Sequence, residues 1–205
     1  MSKVKHTKNE LKKQKDALKR YERYLPTLFL KKQQLQLEIL KISHKCDDIA
    51  EKIDEKTNAI YKWVEVFQED EHLKGLVKID KVEALEGNIA GIDIPVFKTI
   101  HFIEKPYDFL SMPIWVDFAL KAIKEMLSLK AELIILKQQL DLVKNELRVT
   151  TQRVNLFEKV KIPEARDNIR NIQIFLGDLQ TAQVVTGKIA KKQIEQKNEK
   201  QAVSP

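Results

Sequence analysis

Residues 31–53 read KKQQLQLEILKISHKCDDIAEKI, and their apolar side chains recur at alternating intervals of three and four residues. In a seven-residue repeat, the two seam positions of this stretch are filled in chain order by Leu35, Ile39, Ile42, Cys46, Ile49 and Ile53. That spacing places the apolar side chains on one stripe of an α-helix, which is the pattern of a coiled-coil seam.

The same repeat continues in both directions, from Leu11 to Phe67. Fourteen of its seventeen seam positions are apolar, and the repeat is far longer than the three or four heptads that identify a coiled coil. Residues 27–74 contain no glycine or proline, so the sequence predicts an N-terminal coiled-coil helix within residues 1–74. Pro26 lies inside the repeat and predicts a kink, because proline lacks an amide donor and clashes with the preceding turn.

A second stretch, residues 114–186, predicts a C-terminal coiled-coil helix. It has no glycine or proline before Pro163, and its seam positions include Met126, Leu129, Leu133, Leu136, Leu140, Val143, Leu147, Val154 and Phe157. After Phe157 the register slips by one residue and resumes at Ile162, next to Pro163. Such a slip changes the local supercoil.

Two heptad helices joined by a shorter segment can lie antiparallel within one chain, so that each buries the seam of the other. The predicted fold is therefore dominated by α-helix, as a long antiparallel two-helix coiled coil. An acidic substitution at Leu35 or Leu140 should loosen this coil, because it would bury an unpaired charge. The same substitution at Gln34 or Gln139, beside the seam, should be tolerated.

The middle segment, residues 75–113, has the two-residue period of a β-strand. Its alternating residues are Ile92, Ile94, Val96, Ile100 and Phe102, preceded by a weaker run from Val77 to Leu85. Glu86-Gly87-Asn88 supplies a turn, so we expect a small β-hairpin over residues 76–103, at the far end of the coil. Pro95 should lie on its exposed edge or at a bulge, and Pro106 and Pro113 should bracket the turn into the second helix.

Composition and charge narrow the class of protein. Hydrophobic residues make up 43% of the chain and aromatic residues 7%, with five glycines and six prolines, which disfavours both a disordered chain and an ordinary β-sandwich or α/β enzyme. One cysteine and no apolar run near the roughly 20 residues of a membrane span predict a soluble intracellular protein. Of the net charge of +7, residues 1–25 carry nine basic and three acidic side chains. Residues 187–205 predict a basic, disordered tail.

The motifs that would carry chemistry are incomplete. Gly187-Lys188 resembles the end of a phosphate-binding loop, but Ala182 and Ile189 occupy the positions where that loop needs glycine and Ser/Thr. His44 and Cys46 would lie about 200° apart on a helix, too far around to share a metal ion. The run Glu69-Asp70-Glu71-His72 is interpreted as a solvated helix end. No catalytic, cofactor-binding or metal site is predicted, and the thin core of a coiled coil offers no cleft for an enzyme.

Three groups of residues resemble the D subunit of the V-type and archaeal A-type ATPases, which is the central rotor-stalk component of those complexes. The C-terminal group is Arg153-Val154-Asn155, Glu158, Val160, Ile162-Pro163, Ile169 and Ile172; the middle group is Asn88-Ile89-Ala90-Gly91-Ile92 with Ile94-Pro95; the N-terminal group is Thr7-Lys8, Leu11, Lys31-Lys32 and Leu35. The sequence departs from the family at His6, where proline is usual, and at residues 177–182, where the family is acidic and rich in arginine.

The resemblance implies a non-catalytic rotor shaft that couples ATP hydrolysis or synthesis to ion transport. The implied partners are the A and B subunits of the catalytic head, the F subunit beside the coil, and the subunit that links the stalk to the membrane ring. The implied location is cytoplasmic and peripheral to the membrane, with no cofactor, no nucleic acid and no insertion into the bilayer. The motifs and the basic N-terminus together give the candidate subunit-contact residues: Thr7, Lys8, Lys12, Lys13, Lys19, Arg153, Asn155, Glu158, Ile162 and Pro163.

The heptads alone leave two other functions open. A generic coiled-coil scaffold or tether would have the same repeat but not the three ordered motifs. A nucleic-acid-binding rod would use the basic termini, although Tyr21 and Tyr24 are the only aromatic residues within residues 1–25 that could stack on bases.

Overall fold

The structure of the chain is a computed structural model, which describes residues 4–62, 76–106 and 115–202. In chain order its elements are helix α1 (Lys8–Tyr61), strands β1 (Val77–Ile89) and β2 (Ile92–Glu104), helix α2 (Trp115–Leu156), a π-helical turn (Phe157–Lys161) and helix α3 (Ile162–Ala202). Two long helical stretches around a two-stranded antiparallel hairpin confirm the predicted fold class. The seam positions Trp63 and Phe67, the acidic run at residues 69–72 and Pro113 lie outside the described residues.

One feature of each long helix bears on the sequence predictions. Where the sequence predicted a disordered tail from residue 187, helix α3 continues to Ala202, because Lys, Gln, Glu and Ala there are good helix formers and no proline follows before Pro205. Helix α1 is continuous through Pro26, and the kink expected there stays a prediction. Among the described residues, no helix is both long and apolar enough to cross a membrane.

The chain divides into two compact units. The first comprises residues 1–29 and 152–205. Here the start of α1 runs antiparallel to α3, as three contacts show: the rings of His6 and Phe175 lie 4.9 Å apart, those of Tyr21 and Phe157 lie 5.3 Å apart, and Arg166 donates to Glu22 at 2.8 Å. Its buried seam residues are Val154, Ile162, Ala165 and Ile172.

The π-helical turn explains how the seam survives its change of register. Val154, before the turn, and Ile162, after it, are both buried. The backbone N–H of Ile162 donates to the carbonyl of Phe157, five residues earlier. This wider turn absorbs one extra residue, so the apolar stripe resumes on the same face. The predicted slip at residues 157–162 is therefore confirmed.

The second unit comprises residues 30–151. Its helices also run antiparallel, with Lys31 bonded to Glu146 at 2.7 Å and Lys56 paired with Glu125. The buried core combines both helices and the hairpin: Leu35, Ile42, Cys46, Ile49, Ile94, Leu136 and Val143. The hairpin therefore packs against the helix pair and contributes to its core, whereas the sequence predicted it at the far end of the coil.

The position of the hairpin turn is a further correction. The turn is formed by Ala90 and Gly91, which both have positive φ values of 52° and 81°, as a two-residue type I′ turn requires. The side-chain oxygen of Asn88 accepts from the backbone N–H of Gly91 at 3.0 Å and supports it. The turn predicted at residues 86–88 is wrong, because these residues are paired within β1, opposite Pro95, Ile94 and Asp93.

Candidate subunit-interaction surfaces

All ten candidate contact residues belong to the unit formed by residues 1–29 and 152–205, but they have different structural roles. Ile162 is only 7% exposed and packs in the seam, so its side chain is not offered to a partner. Pro163 is exposed directly after the π-helical turn. Arg153, Asn155 and Glu158 are also exposed. Arg153 and Asn155 flank the buried Val154 in sequence and therefore lie about 160° apart around the helix.

Thr7 is explained by the start of helix α1. Its hydroxyl accepts a hydrogen bond from the backbone N–H of Glu10 at 3.3 Å, which satisfies one of the free donors at the helix N-terminus. The sequence Thr7-Lys8-Asn9-Glu10 has the spacing of a capping box. The carboxylate of Glu10 instead accepts from the side-chain amide of Gln14 at 3.0 Å. Thr7 therefore fixes where α1 begins, and Lys8 is the first exposed residue of the helix.

The basic residues that follow form a surface that we call the basic face. It consists of Lys12, Lys13, Lys15, Lys19, Arg20 and Arg23, which are all exposed. None of them makes an ion pair with another residue of the described chain. Three lysines of the other unit, Lys31, Lys56 and Lys124, each pair with a glutamate on another element.

An ion pair lies at the end of the π-helical turn. Lys161 donates to Glu164 at 3.0 Å. This hydrogen bond, together with the negative charge of Glu164, raises the pKa of the Lys161 ammonium above its ordinary value. Both side chains are partly exposed, so this ion pair adds little to the stability of the fold.

The hairpin is held to helix α2 by a contact that sequence reasoning missed. Gln139 is 6% exposed, and its side-chain amide donates to the backbone carbonyl of Pro95. In an antiparallel hairpin, pairs that share backbone hydrogen bonds alternate with pairs that do not, starting here from the bonded pair Ile89–Ile92 that closes the turn. Pro95 opposes Glu86 at one of the positions without backbone hydrogen bonds. Its nitrogen and carbonyl therefore face the outer edge of β2. Pro95 was expected on an exposed edge or at a bulge. It lies on an edge that is half-buried against α2, and it is outside the two register shifts, which fall between Ile79 and Lys81 and between Glu83 and Ala84.

Large apolar side chains on the outside of α1 form another surface, which the heptad repeat did not predict. Leu30, Leu37 and Leu40 are each more than half exposed, although they lie on a helix whose seam is elsewhere. Leu37 and Leu40 line a recess of about 680 Å³, together with Gln33, Gln36, Ile39 and Leu147. The spacing of seven residues between Leu30 and Leu37 was the available signal. We call these three leucines the leucine stripe.

The two residues considered for metal binding are on different sides of α1. Cys46 is buried in the core and His44 is exposed. Burial, and secondarily the charge of Asp47, raise the pKa of the Cys46 thiol. Within the described ranges, no three His, Cys, Asp or Glu residues lie close enough together to hold a metal ion. The run at residues 69–72 is not among them.

Comparison with known proteins identifies the family. The family of ATP synthase D subunits matches residues 10–192. The D subunit of the V-type ATP synthase of Borreliella burgdorferi is 48% identical over 201 residues, covering 97% of this chain and 98% of the relative. Its counterpart in Chlamydia abortus is 37% identical over 203 residues and covers 97% of each chain. The counterpart in Chlamydia trachomatis serovar L2 is 33% identical over 201 residues, covering 97% of this chain and 99% of the relative. With a family match over most of its length and such relatives, the chain belongs to the family of ATP synthase D subunits.

Proposed function

We propose that the chain is the non-catalytic central-stalk subunit of a V-type or A-type ATPase, the rotor shaft that couples ATP turnover in the catalytic head to ion movement across the membrane. Family membership over residues 10–192 carries this proposal. The long antiparallel helix pairs found within each of the two units support it. Its location is cytoplasmic and peripheral to the membrane.

The coupling in this proposal is mechanical. An asymmetric shaft contacts three catalytic interfaces unequally, so each angle of the shaft favours a different nucleotide state at each interface. Ion flow that turns the shaft drives those states in order, and ATP hydrolysis in the head turns it in the opposite direction. The role of this chain is therefore to bind differently to otherwise equivalent subunits, and the chemistry occurs on the other chains.

The partners follow from the same assignment. The unit that carries both termini enters the head of alternating A and B subunits, where its basic face meets them. The F subunit packs beside the helices, and the segment with the hairpin faces the subunit that links the stalk to the membrane ring. Affinity purification of the full chain from its native membrane should therefore recover A, B and F subunits. Recovery of no ATPase subunit would favour a scaffold or tether instead.

Rotation itself can be observed through this chain. Its single cysteine, Cys46, is 8% exposed, so a cysteine introduced at the exposed Lys81 on β1 would be labelled selectively. A bead attached at Lys81→Cys, with the head fixed to a surface, should turn in steps when ATP is added and stand still without it. A bead that stays still while the fixed complex hydrolyses ATP would overturn the assignment.

A further inference from the structure

Helices α2 and α3 meet at a place where the ladder of backbone hydrogen bonds is incomplete. In the π-helical turn, the N–H of Ile162 donates to the carbonyl of Phe157. The carbonyl of Glu158 would accept from Ile162 in an α-helix or from Pro163 in a π-helix. The first N–H is already used, and proline has none. The Glu158 carbonyl is therefore left without a regular backbone partner, and Lys159 loses its α-helical donor to the same proline.

The turn itself contributes little to the packing of its unit. None of its residues is buried, and the apolar side chain of Val160 is 48% exposed. The seam is closed on either side, since Val154 is 2% exposed before the turn and Ala165 is 3% exposed after it. Segments with exposed backbone and few buried contacts open at a low cost in free energy. Opening of the turn would therefore leave the packed seam on both sides in place.

The facing helix α1 has a break of its own in the same unit. The ring of Tyr21 lies 5.3 Å from the ring of Phe157, which is the first residue of the turn. Pro26 follows Tyr21 by five residues within α1, and it has no N–H to donate to the carbonyl of Glu22. Both helices of the pair therefore lack backbone hydrogen bonds within about two turns of one ring contact.

We propose that residues 157–163, which we call the register joint, open and close locally together with the segment of α1 around Pro26, while the seam on either side stays packed. The helix pair of this unit can then twist or bend at one defined level without exposing its buried residues. The joint is a property of the chain alone and does not depend on the proposed function.

Hydrogen exchange of the full chain, followed by mass spectrometry, tests the joint. After correction for intrinsic rates, the amides of residues 158–164 should exchange about tenfold faster than those of residues 165–172, a ratio equivalent to about 1.4 kcal/mol. The second segment is the control, because it is regular α-helix in the same unit and contains the buried Ala165 and Ile172. Equal exchange rates in the two segments would overturn the proposal.

A variant without the extra residue provides a second test. Deletion of the exposed Val160 places Ile162 four residues after Phe157, so that the hydrogen bond between them becomes an ordinary α-helical one. Pro163→Ala in the same variant supplies the N–H that the Glu158 carbonyl lacks. Exchange of this segment should slow about tenfold and match that of residues 165–172, and circular dichroism should show at least the urea resistance of the unsubstituted chain. Unchanged exchange would overturn the joint.

Deletion of the exposed Asp167 is the matched control. It removes one residue from regular α-helix in the same unit, and it therefore rotates the buried Ile172 by about 100° out of the seam. This control should unfold at a lower urea concentration than the unsubstituted chain. An equal loss of urea resistance in the variant that lacks Val160 would show that the turn holds no extra residue, and this result would also overturn the joint.

Discussion

Ile94 tests whether the hairpin belongs to the core of its unit. This side chain is 4% exposed and packs in one cluster with Leu35, Ile42 and Leu136 of the two helices. Ile94→Ala removes three side-chain carbons, which corresponds to about 2.4 kcal/mol of lost transfer free energy at about 0.8 kcal/mol per methylene. The cavity left behind adds to this loss, so the free energy of unfolding should fall by about 2–5 kcal/mol.

The measurement is urea unfolding of the full chain, followed by circular dichroism of the helices. Leu85→Ala is the matched control, because Leu85 lies on the same hairpin and is 53% exposed; a surface change of this kind is worth about 0.5 kcal/mol. If the two variants lose the same stability, the hairpin does not contribute to the helical core, and the reasoning from burial is refuted. The helix signal matters here, since a detached hairpin would leave it unchanged.

Three further predictions follow from individual contacts. Because burial raises the pKa of the Cys46 thiol, a thiol reagent at neutral pH should modify it far more slowly in the folded chain than in urea, and equal rates would contradict its packing. The hydrogen bond from Lys98 and its charge, with a smaller contribution from His101, hold the pKa of Glu83 below its ordinary value of 4.5. This ion pair should therefore stabilise the hairpin fully above that pH and lose its effect as the pH falls through the lowered pKa. The NMR chemical shift of the Glu83 carboxyl carbon would report the titration, and Glu83→Gln is the control for the stability measurement. Gln139→Asp should lower the free energy of unfolding by about 1–3 kcal/mol, because it removes the amide that donates to the Pro95 carbonyl. Gln34→Asp, on the exposed side of α1, should leave the free energy of unfolding unchanged. Equal losses of stability for the two variants in urea would contradict this role of Gln139.

The helices could be predicted because their signal is long and redundant. The heptad positions Leu35, Ile42 and Ile49 are all buried, and an error at one position of such a repeat leaves the others in agreement. The hairpin was also predictable from the alternation of Ile92, Ile94 and Val96. Both signals are local, since each depends on the spacing of residues within a single element.

The turn was misplaced because one glycine can serve two purposes. Gly87 was interpreted as a turn residue, but it lies in β1 opposite Ile94. A Cβ atom there would lie 2.7 Å from Cγ2 of Val96, so any other residue at this position would have to displace the valine side chain. The positive φ values occur at Ala90 and Gly91, and alanine is an uncommon residue at such a position. Composition alone does not separate these two uses of glycine.

Contacts between distant segments were beyond the sequence pattern. Gln139 lies beside the seam in the heptad repeat and was expected to tolerate a charge. It is buried because β2 packs against this part of α2, 44 residues away in sequence. The spacing of apolar residues within a helix does not predict which of its other residues a strand will cover. The leucine stripe illustrates the converse, since Leu37 and Leu40 are apolar without being covered within the described chain.

The candidate site could be predicted only in part, as Ile162-Pro163 shows. This pair belongs to the C-terminal group of residues that carry the resemblance, and the structure gives it a role within the helix. An extra residue in an uninterrupted α-helix would rotate the following seam by about 100°, and Ile162 would leave the core. The π-helical turn at Phe157–Lys161 absorbs that residue, and Ile162 is buried as a result. Pro163 has no N–H to donate to the carbonyl of Lys159, but Lys159 lies in the turn where the usual ladder is already altered, so proline breaks less here than it would elsewhere in the helix. The pair therefore belongs to the change of register in the seam, and of its two residues only Pro163 has an exposed side chain.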